Sequence, residues 1–171
     1  MVAINQKFRE GFDGRLQSSS LRDIVASFGE ESDILHMVGA AAIIRAFKIT
    51  SQRAEEVLDQ FDLSMTRYEI LARLQRAEEG RMTLRELKDV TLTHPATMTY
   101  TIDGMERRRL IQREADATDR RTTYAKITGA GRRLVDKATA ALSEIHFGIF
   151  DLSHNDVLEL AVILSKLGEA E

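Results

Sequence analysis

Apolar residues recur at helical spacing through most of this chain, and the pattern breaks once, about two-thirds of the way along, into two short alternating runs. The longest helical pattern follows Ser32-Asp33, a natural N-cap. Ile34, Leu35, Val38, Ala41, Ala42, Arg45, Ile49, Val57, Leu58 and Phe61 lie three and four apart along it. A helix that long and that apolar suits a dimer interface, or packing along a larger core. After the capping break Leu63-Ser64-Met65-Thr66, a second stripe of Tyr68, Ile70, Leu71 and Leu74 runs toward Gly80. Thr83 with Glu86 three residues on forms a capping box, opening a short helix to about Val90. Pro95 starts the next helix and biases His94 away from helical geometry. Its inner stripe is Met98, Tyr100 or Thr101, Ile102 and Met105, and it ends within Glu106-Arg107-Arg108-Arg109.

Leu110 to Glu114 and Thr123 to Ile127 then alternate like strands, with a polar, charged tip between them. Thr128 caps another helix with Leu134, Val135, Ala138, Ala141, Leu142 and Ile145 along one face. Ser153 opens a last helix with Val157, Leu160, Ile163, Leu164 and Leu167 expected inside. Residues 1–31 read as an extension containing one short amphipathic pattern, Leu21 to Phe28. The predicted fold is mostly α with a small β-hairpin. Two short helices meeting at a turn, then an arginine cluster and a hairpin, is the order a winged helix needs. One helix enters the major groove of DNA, and a basic loop reaches the flanking minor groove.

Composition changes this picture in two places. The net charge of −3 argues against nucleic acid, but the distribution does not: Thr91 to Arg133 holds nine Lys/Arg against five Asp/Glu, while the remainder is net −7. The chain has no Cys, which excludes disulfides, thiolate metal sites and a cysteine redox sensor. No apolar run approaches the roughly 18 residues of a bilayer span, and the N-terminus lacks a signal-peptide core, so the cytoplasm is the expected location. His36, His94, His146 and His154 are far apart and in no metal-binding spacing. His-Glu-x-x-His, phosphate-cradling glycine loops and Gly-x-Ser-x-Gly are all missing. His154-Asn155-Asp156 near Asp151 reads as a helix cap, so neither an enzyme nor a cofactor is expected.

From about Asp33 to Leu167 the chain resembles the MarR family of transcriptional regulators. The likeness rests on Pro95-Ala-Thr-Met-Thr99, Met105-Glu-Arg-Arg-Arg-Leu-Ile111, Asp116-Ala-Thr-Asp-Arg-Arg121 and Ala125-Lys-Ile-Thr128. Two positions depart from the family pattern. Arg109 stands where a Gly is usual after the recognition helix, implying either a different turn or modest strain. Ala117 replaces the usual Pro of the wing.

The resemblance implies a winged helix-turn-helix lobe at 63–128, and a two-fold homodimer built from helices in 32–62 and 129–171. Such a dimer binds double-stranded DNA at a pseudo-palindrome with half-sites about one helical turn apart. On that reading Thr93, Thr97, Thr99 and Tyr100 offer hydroxyls and methyls to base edges or phosphates, and His94 lies near phosphate. Arg107, Arg108 and Arg120 pair with backbone phosphates. Arg121, braced by Asp119, enters the minor groove. Many such proteins release DNA when a small aromatic or phenolic anion enters a cleft, for which His36, Arg45, Arg53, Tyr68 and Arg73 are the candidates here. Lack of Cys rules out the peroxide-sensing branch, and lack of Trp removes one ligand contact of the urate-responsive branch. The competing reading is a winged helix that serves as a protein-interaction module without specific DNA binding.

Overall fold

The computed structural model describes residues 31–91, 93–116 and 122–167, with side chains from His36 onward. Its elements in order are α1 (Glu31–Leu58), α2 (Met65–Arg76), β1 (Arg81–Thr83), α3 (Leu84–Thr91), α4 (Pro95–Arg107), β2 (Ile111–Ala115), β3 (Thr123–Ile127), α5 (Gly129–Glu144) and α6 (His154–Ser165). Short 3-10 turns follow α1, α2 and α5. The architecture is therefore mostly helical with a small antiparallel sheet, as the periodicity predicts. The chain divides into two compact units, Met1–Ile49 and Thr50–Glu171.

Residues 50–171 are organised around one apolar cluster. Leu58, Ile70, Leu71, Leu74, Leu87, Ile102, Met105, Ile111 and Leu142 are fully buried in it. Each contributes on the order of 1.5–3 kcal/mol by leaving water. The cluster joins the inner stripes of α2, α4 and α5 to the sheet, so it holds the helix-turn-helix and the hairpin as one body. Chemically readable caps set the helix starts. Ser64 accepts from the Arg67 amide, Thr128 from the Gly131 amide, and Ser153 forms a reciprocal capping box with Asp156.

The sheet is three-stranded in the order β1-β3-β2, with both pairings antiparallel. Ala125 sits at its centre, opposite Met82 on one side and Arg113 on the other. The third strand, β1, is absent from the sequence reading; three residues are too few to show alternation. Gly131 lets α5 start hard against this sheet. A Cβ there would stand 2.3 Å from the Leu110 carbonyl oxygen and 2.9 Å from an Ile127 side-chain carbon.

Several expectations need correction. The described chain is already helical at Glu31, so Ser32 and Asp33 lie inside α1 rather than capping it. Arg45, placed on the inner stripe of α1 by spacing, is exposed, as are Ile43, Ile44 and Phe47. Of the two residues left open for the inner stripe of α4, Thr101 takes the buried place and Tyr100 is exposed. Helix α6 contains no buried residue: Ile163 and Leu167, expected inside, are exposed together with Leu158 and Val162. Periodicity shows that a face is apolar. It does not show whether the same chain covers it.

Candidate nucleic-acid interface

The helix-turn-helix begins at the capping box of α3. The Thr83 amide and hydroxyl donate to Glu86 Oε2 at 2.7 and 2.8 Å, and the Glu86 amide donates back to Thr83 Oγ1 at 3.1 Å. The backbone bond from Thr83, reinforced by its hydroxyl, holds the Glu86 carboxyl below the ordinary carboxylate value. At the other end of α3, the Thr91 hydroxyl donates to the Leu87 carbonyl at 2.7 Å and to Thr93 Oγ1 at 2.9 Å. The Thr93 amide donates to the Lys88 carbonyl at 3.2 Å. Thr93 is thus folded into the turn, with its hydroxyl occupied locally.

Helix α4 starts with Pro95 at its first position and His94 as N-cap, whose Nδ1 accepts from the Ala96 amide at 3.4 Å. Met98, Thr101, Ile102 and Met105 face the core. His94, Thr97, Thr99, Tyr100 and Arg107 are exposed, and Tyr100 retains 68% of its surface. The Thr99 hydroxyl donates to the Pro95 carbonyl at 3.2 Å. The helix therefore turns a small, hydroxyl-rich face with one aromatic side chain outward, at the end where amides point to solvent.

Its C-terminus is fixed by a Schellman motif. The Leu110 amide donates to the Met105 carbonyl at 3.0 Å and the Arg109 amide to the Glu106 carbonyl at 2.8 Å. Arg109 occupies the left-handed position with φ 57°. The turn is therefore the one a glycine would make, and the arginine accepts the strain. Arg108 points back to the end of the turn that follows α1. It donates to the Asp62 carbonyl at 2.5 Å and pairs with the Asp62 carboxylate at 3.1 Å.

Strands β2 and β3 form the hairpin, closed at its base by the Asp116 amide donating to the Thr122 carbonyl at 3.1 Å. Asp119, Arg120 and Arg121, and the departure at Ala117, lie in the tip, outside the described residues. Arg113 of β2 forms ion pairs with Asp103 at 2.5 Å and Glu106 at 3.0 Å on α4.

Of the proposed ligand contacts within residues 50–171, Tyr68 and Arg73 come together and Arg53 does not join them. Tyr68 and Arg73 line a cleft of about 570 Å³ with Glu69, Ala72, Arg76, Ala77, Met82 and Phe147. The Tyr68 hydroxyl is hydrogen-bonded to Thr139 Oγ1 at 3.1 Å, and Arg73 pairs with Glu69 at 2.9 Å. Arg53 does not line this cleft. It donates to the Gly148 carbonyl at 2.7 Å, pairs with Asp151 at 2.7 Å and lies 4.3 Å from the Phe150 ring centroid. Those contacts hold a turn in which His146, Phe147 and Gly148 have φ of 46°, 52° and 84°. His36 and Arg45 are exposed on α1, within the other compact unit. Sequence reasoning misses Arg76, Met82 and Phe147 as cleft residues. Arg73 and Arg76 are three apart on one helix, a usable signal; Phe147 reaches the cleft only through its unusual backbone. Among the described residues no group of three or more His, Asp or Glu is placed to hold a metal, and no helix is long and apolar enough to cross a membrane.

Comparison with known proteins agrees with this geometry. The MarR family model matches residues 61–122, which run from the loop before α2 to the far side of the hairpin tip. The HTH-type transcriptional regulator MhqR of Bacillus subtilis is 29% identical over 125 residues, covering 72% of this chain and 85% of MhqR. The crystal structure of Sco5413, a MarR family transcriptional regulator from Streptomyces coelicolor, superposes with a TM-score of 0.72 at 26% identity. That match covers 77% of this chain and 91% of Sco5413. Sco3205 of the same organism, solved in complex with DNA, shares the fold with a TM-score of 0.71 at 16% identity, covering 81% of this chain and 89% of Sco3205. With a capped helix-turn-helix, an outward hydroxyl face and a hairpin wing, the chain is similar to the MarR family of winged helix-turn-helix transcriptional regulators.

Proposed function

We propose that the protein is a homodimeric repressor that reads a pseudo-palindromic operator and releases it when a small aromatic anion binds. The observation that carries the DNA reading is the outer face of α4, where Thr97, Thr99 and Tyr100 are exposed while Met98, Ile102 and Met105 anchor the helix in the core. Short hydroxyl side chains on a buried-anchored helix can approach base edges closely, and a thymine methyl suits the threonine methyls. In this reading His94 and Arg107 contact phosphate at the two ends of the helix, and Arg120 does so from the wing. Arg121, braced by Asp119, enters an A·T-rich minor groove. Arg108, already bound to Asp62, holds the helix end in place.

The homodimer reading draws on apolar surface that the single chain leaves open. Ile43, Ile44 and Phe47 are exposed on α1, and Leu158, Val162, Ile163 and Leu167 are exposed on α6 or just beyond it. Faces of this kind are uncommon on a monomer unless another chain covers them. Residues 32–62 and 129–171 would supply that interface, and 63–128 the DNA-binding lobe. For the effector, the cleft beside Tyr68 offers the Arg73 and Arg76 cations next to Met82 and Phe147, a setting for a carboxylate or phenolate carried on a ring.

Selection of genomic DNA fragments by purified protein at two salt concentrations tests the reading. The expected result is one short pseudo-palindrome, bound by a dimer, with Arg121→Ala at least tenfold weaker. Salt-sensitive recovery of arbitrary DNA would indicate an architectural binder instead. No recovery from effector-free protein would refute specific DNA binding and favour an interaction module.

A further inference from the structure

We infer that Arg113 is a positioning residue for DNA recognition: it ties the reading face of α4 to the wing strand and itself touches no DNA. The inference rests on the DNA-binding reading above. Arg113 stands on β2, opposite Ala125 of β3. One guanidinium nitrogen donates to Asp103 Oδ1 at 2.5 Å and the other to Glu106 Oε2 at 3.0 Å, while the Arg113 amide donates to Glu106 Oε1 at 3.3 Å. One residue therefore makes three bonds to two carboxylates a turn apart on α4.

The placement of those carboxylates gives the ties their meaning. Tyr100, Asp103 and Glu106 are successive members of one i, i+3 row on the helix surface. Tyr100 is the exposed end of that row, and Arg113 grips the other two members. A grip off the helix axis fixes rotation about that axis, which decides where Tyr100 points. Arg108 fixes the end of the same helix to Asp62. At roughly 3.3 Å per residue, the wing tip begins about 10–13 Å along the chain from Arg113. The same side chain thus sets the spacing between the element meant for the major groove and the one meant for the minor groove. When two contacts must be made at once, fixing one against the other raises the strength of the pair without adding a contact. Arginine suits the task because its planar fork serves two carboxylates together, which a lysine cannot do.

The test uses full-length protein and a duplex selected from a random-sequence library by the wild type. Arg113→Lys, Arg113→Ala and the triple change Arg113→Ala with Asp103→Asn and Glu106→Gln are compared for affinity and for its salt dependence. The expected result is a loss of about tenfold or more with Arg113→Ala and a smaller loss with Arg113→Lys, both with the salt slope of the wild type. The triple change should remain weak, because neutralising the acids does not restore the tie. A slope lower by about 0.9 in Arg113→Ala would mean a direct phosphate contact and overturn the positioning role. So would wild-type affinity in Arg113→Ala and Arg113→Lys, or full recovery in the triple change, which would reduce the role to charge cancellation. Should Arg113→Ala fail to fold, the Arg113→Lys slope and affinity decide alone. A wild type that selects no duplex refutes the DNA reading, a different outcome from each of these.

Discussion

Replacing Arg109 with glycine should stabilise the protein, and the magnitude follows from the turn it occupies. Arg109 is the left-handed residue of the Schellman motif that ends α4, with φ 57°. Its amide is bonded to the Glu106 carbonyl at 2.8 Å, so the conformation is held by the motif. A side chain with a Cβ costs roughly 1–2 kcal/mol in that region. Glycine removes the cost, but its greater freedom in the unfolded chain returns about 0.4–1 kcal/mol. The net gain is about 1 kcal/mol, or roughly 2–4 °C in melting temperature for a domain of this size. Arg109 is also exposed and cationic, so the proper control is Arg109→Ala, which deletes the same side chain and keeps the strain. Thermal unfolding of both variants at one protein concentration isolates the backbone contribution, since a dimer's melting temperature depends on concentration. A glycine variant that melts no higher than the alanine variant would refute the strain argument.

Three further outcomes are expected. Gly131→Ala should cost about 1–3 kcal/mol in denaturant unfolding. Its Cβ meets the Leu110 carbonyl, a backbone atom already bonded to the Thr128 amide at 3.0 Å. Glu86→Gln should flatten the acid limb of stability. The folded carboxyl is lowered from 4.5 by its bonds from Thr83, so its contribution is complete above that value and lost as pH falls through the folded value. The stability gap between wild type and variant should therefore shrink as pH falls from about 4.5 through the lowered folded value. Phe47→Asp and Val162→Asp, each at an exposed apolar position, should each raise the dimer dissociation constant at least tenfold by sedimentation; a wild type that sediments as a monomer would remove the dimer proposal.

The sequence is most legible where one local interaction decides the structure. Thr83, Thr128 and Ser153 are caps because a hydroxyl three residues before a free amide can satisfy it, and all three cap as expected. The inner stripes of α2 and α4 are readable because burial repeats with the helical turn. Strand β1 is hidden because three residues carry no period, and its pairing with β3 is remote in sequence. The Arg113 ties join residues seven and ten apart across a turn, a distance that only the folded hairpin makes short. Arg109 lies between: the residues leave open a new turn or strain, and the bonds to Glu106 and Met105 select strain. For α6 the stripe reads correctly as apolar, but Val157, Leu160 and Leu164 are only half-buried and Ile163 and Leu167 stay exposed. Arg53 reads as a cleft cation on residue type alone, yet Gly148, Asp151 and Phe150 engage it.

The central claim is that the outer face of α4 reads base sequence. The most direct measurement is a comparison of binding-site profiles, selected from a random duplex library, for the wild type, Thr97→Ala and Tyr100→Ala. Both side chains are exposed, so the variants should fold as the wild type does. A pseudo-palindromic profile is predicted for the wild type. Each variant should relax preference at one symmetric pair of positions, by about 1–3 kcal/mol for each base interaction removed. Identical profiles from all three proteins would contradict the claim and move sequence reading away from this helix.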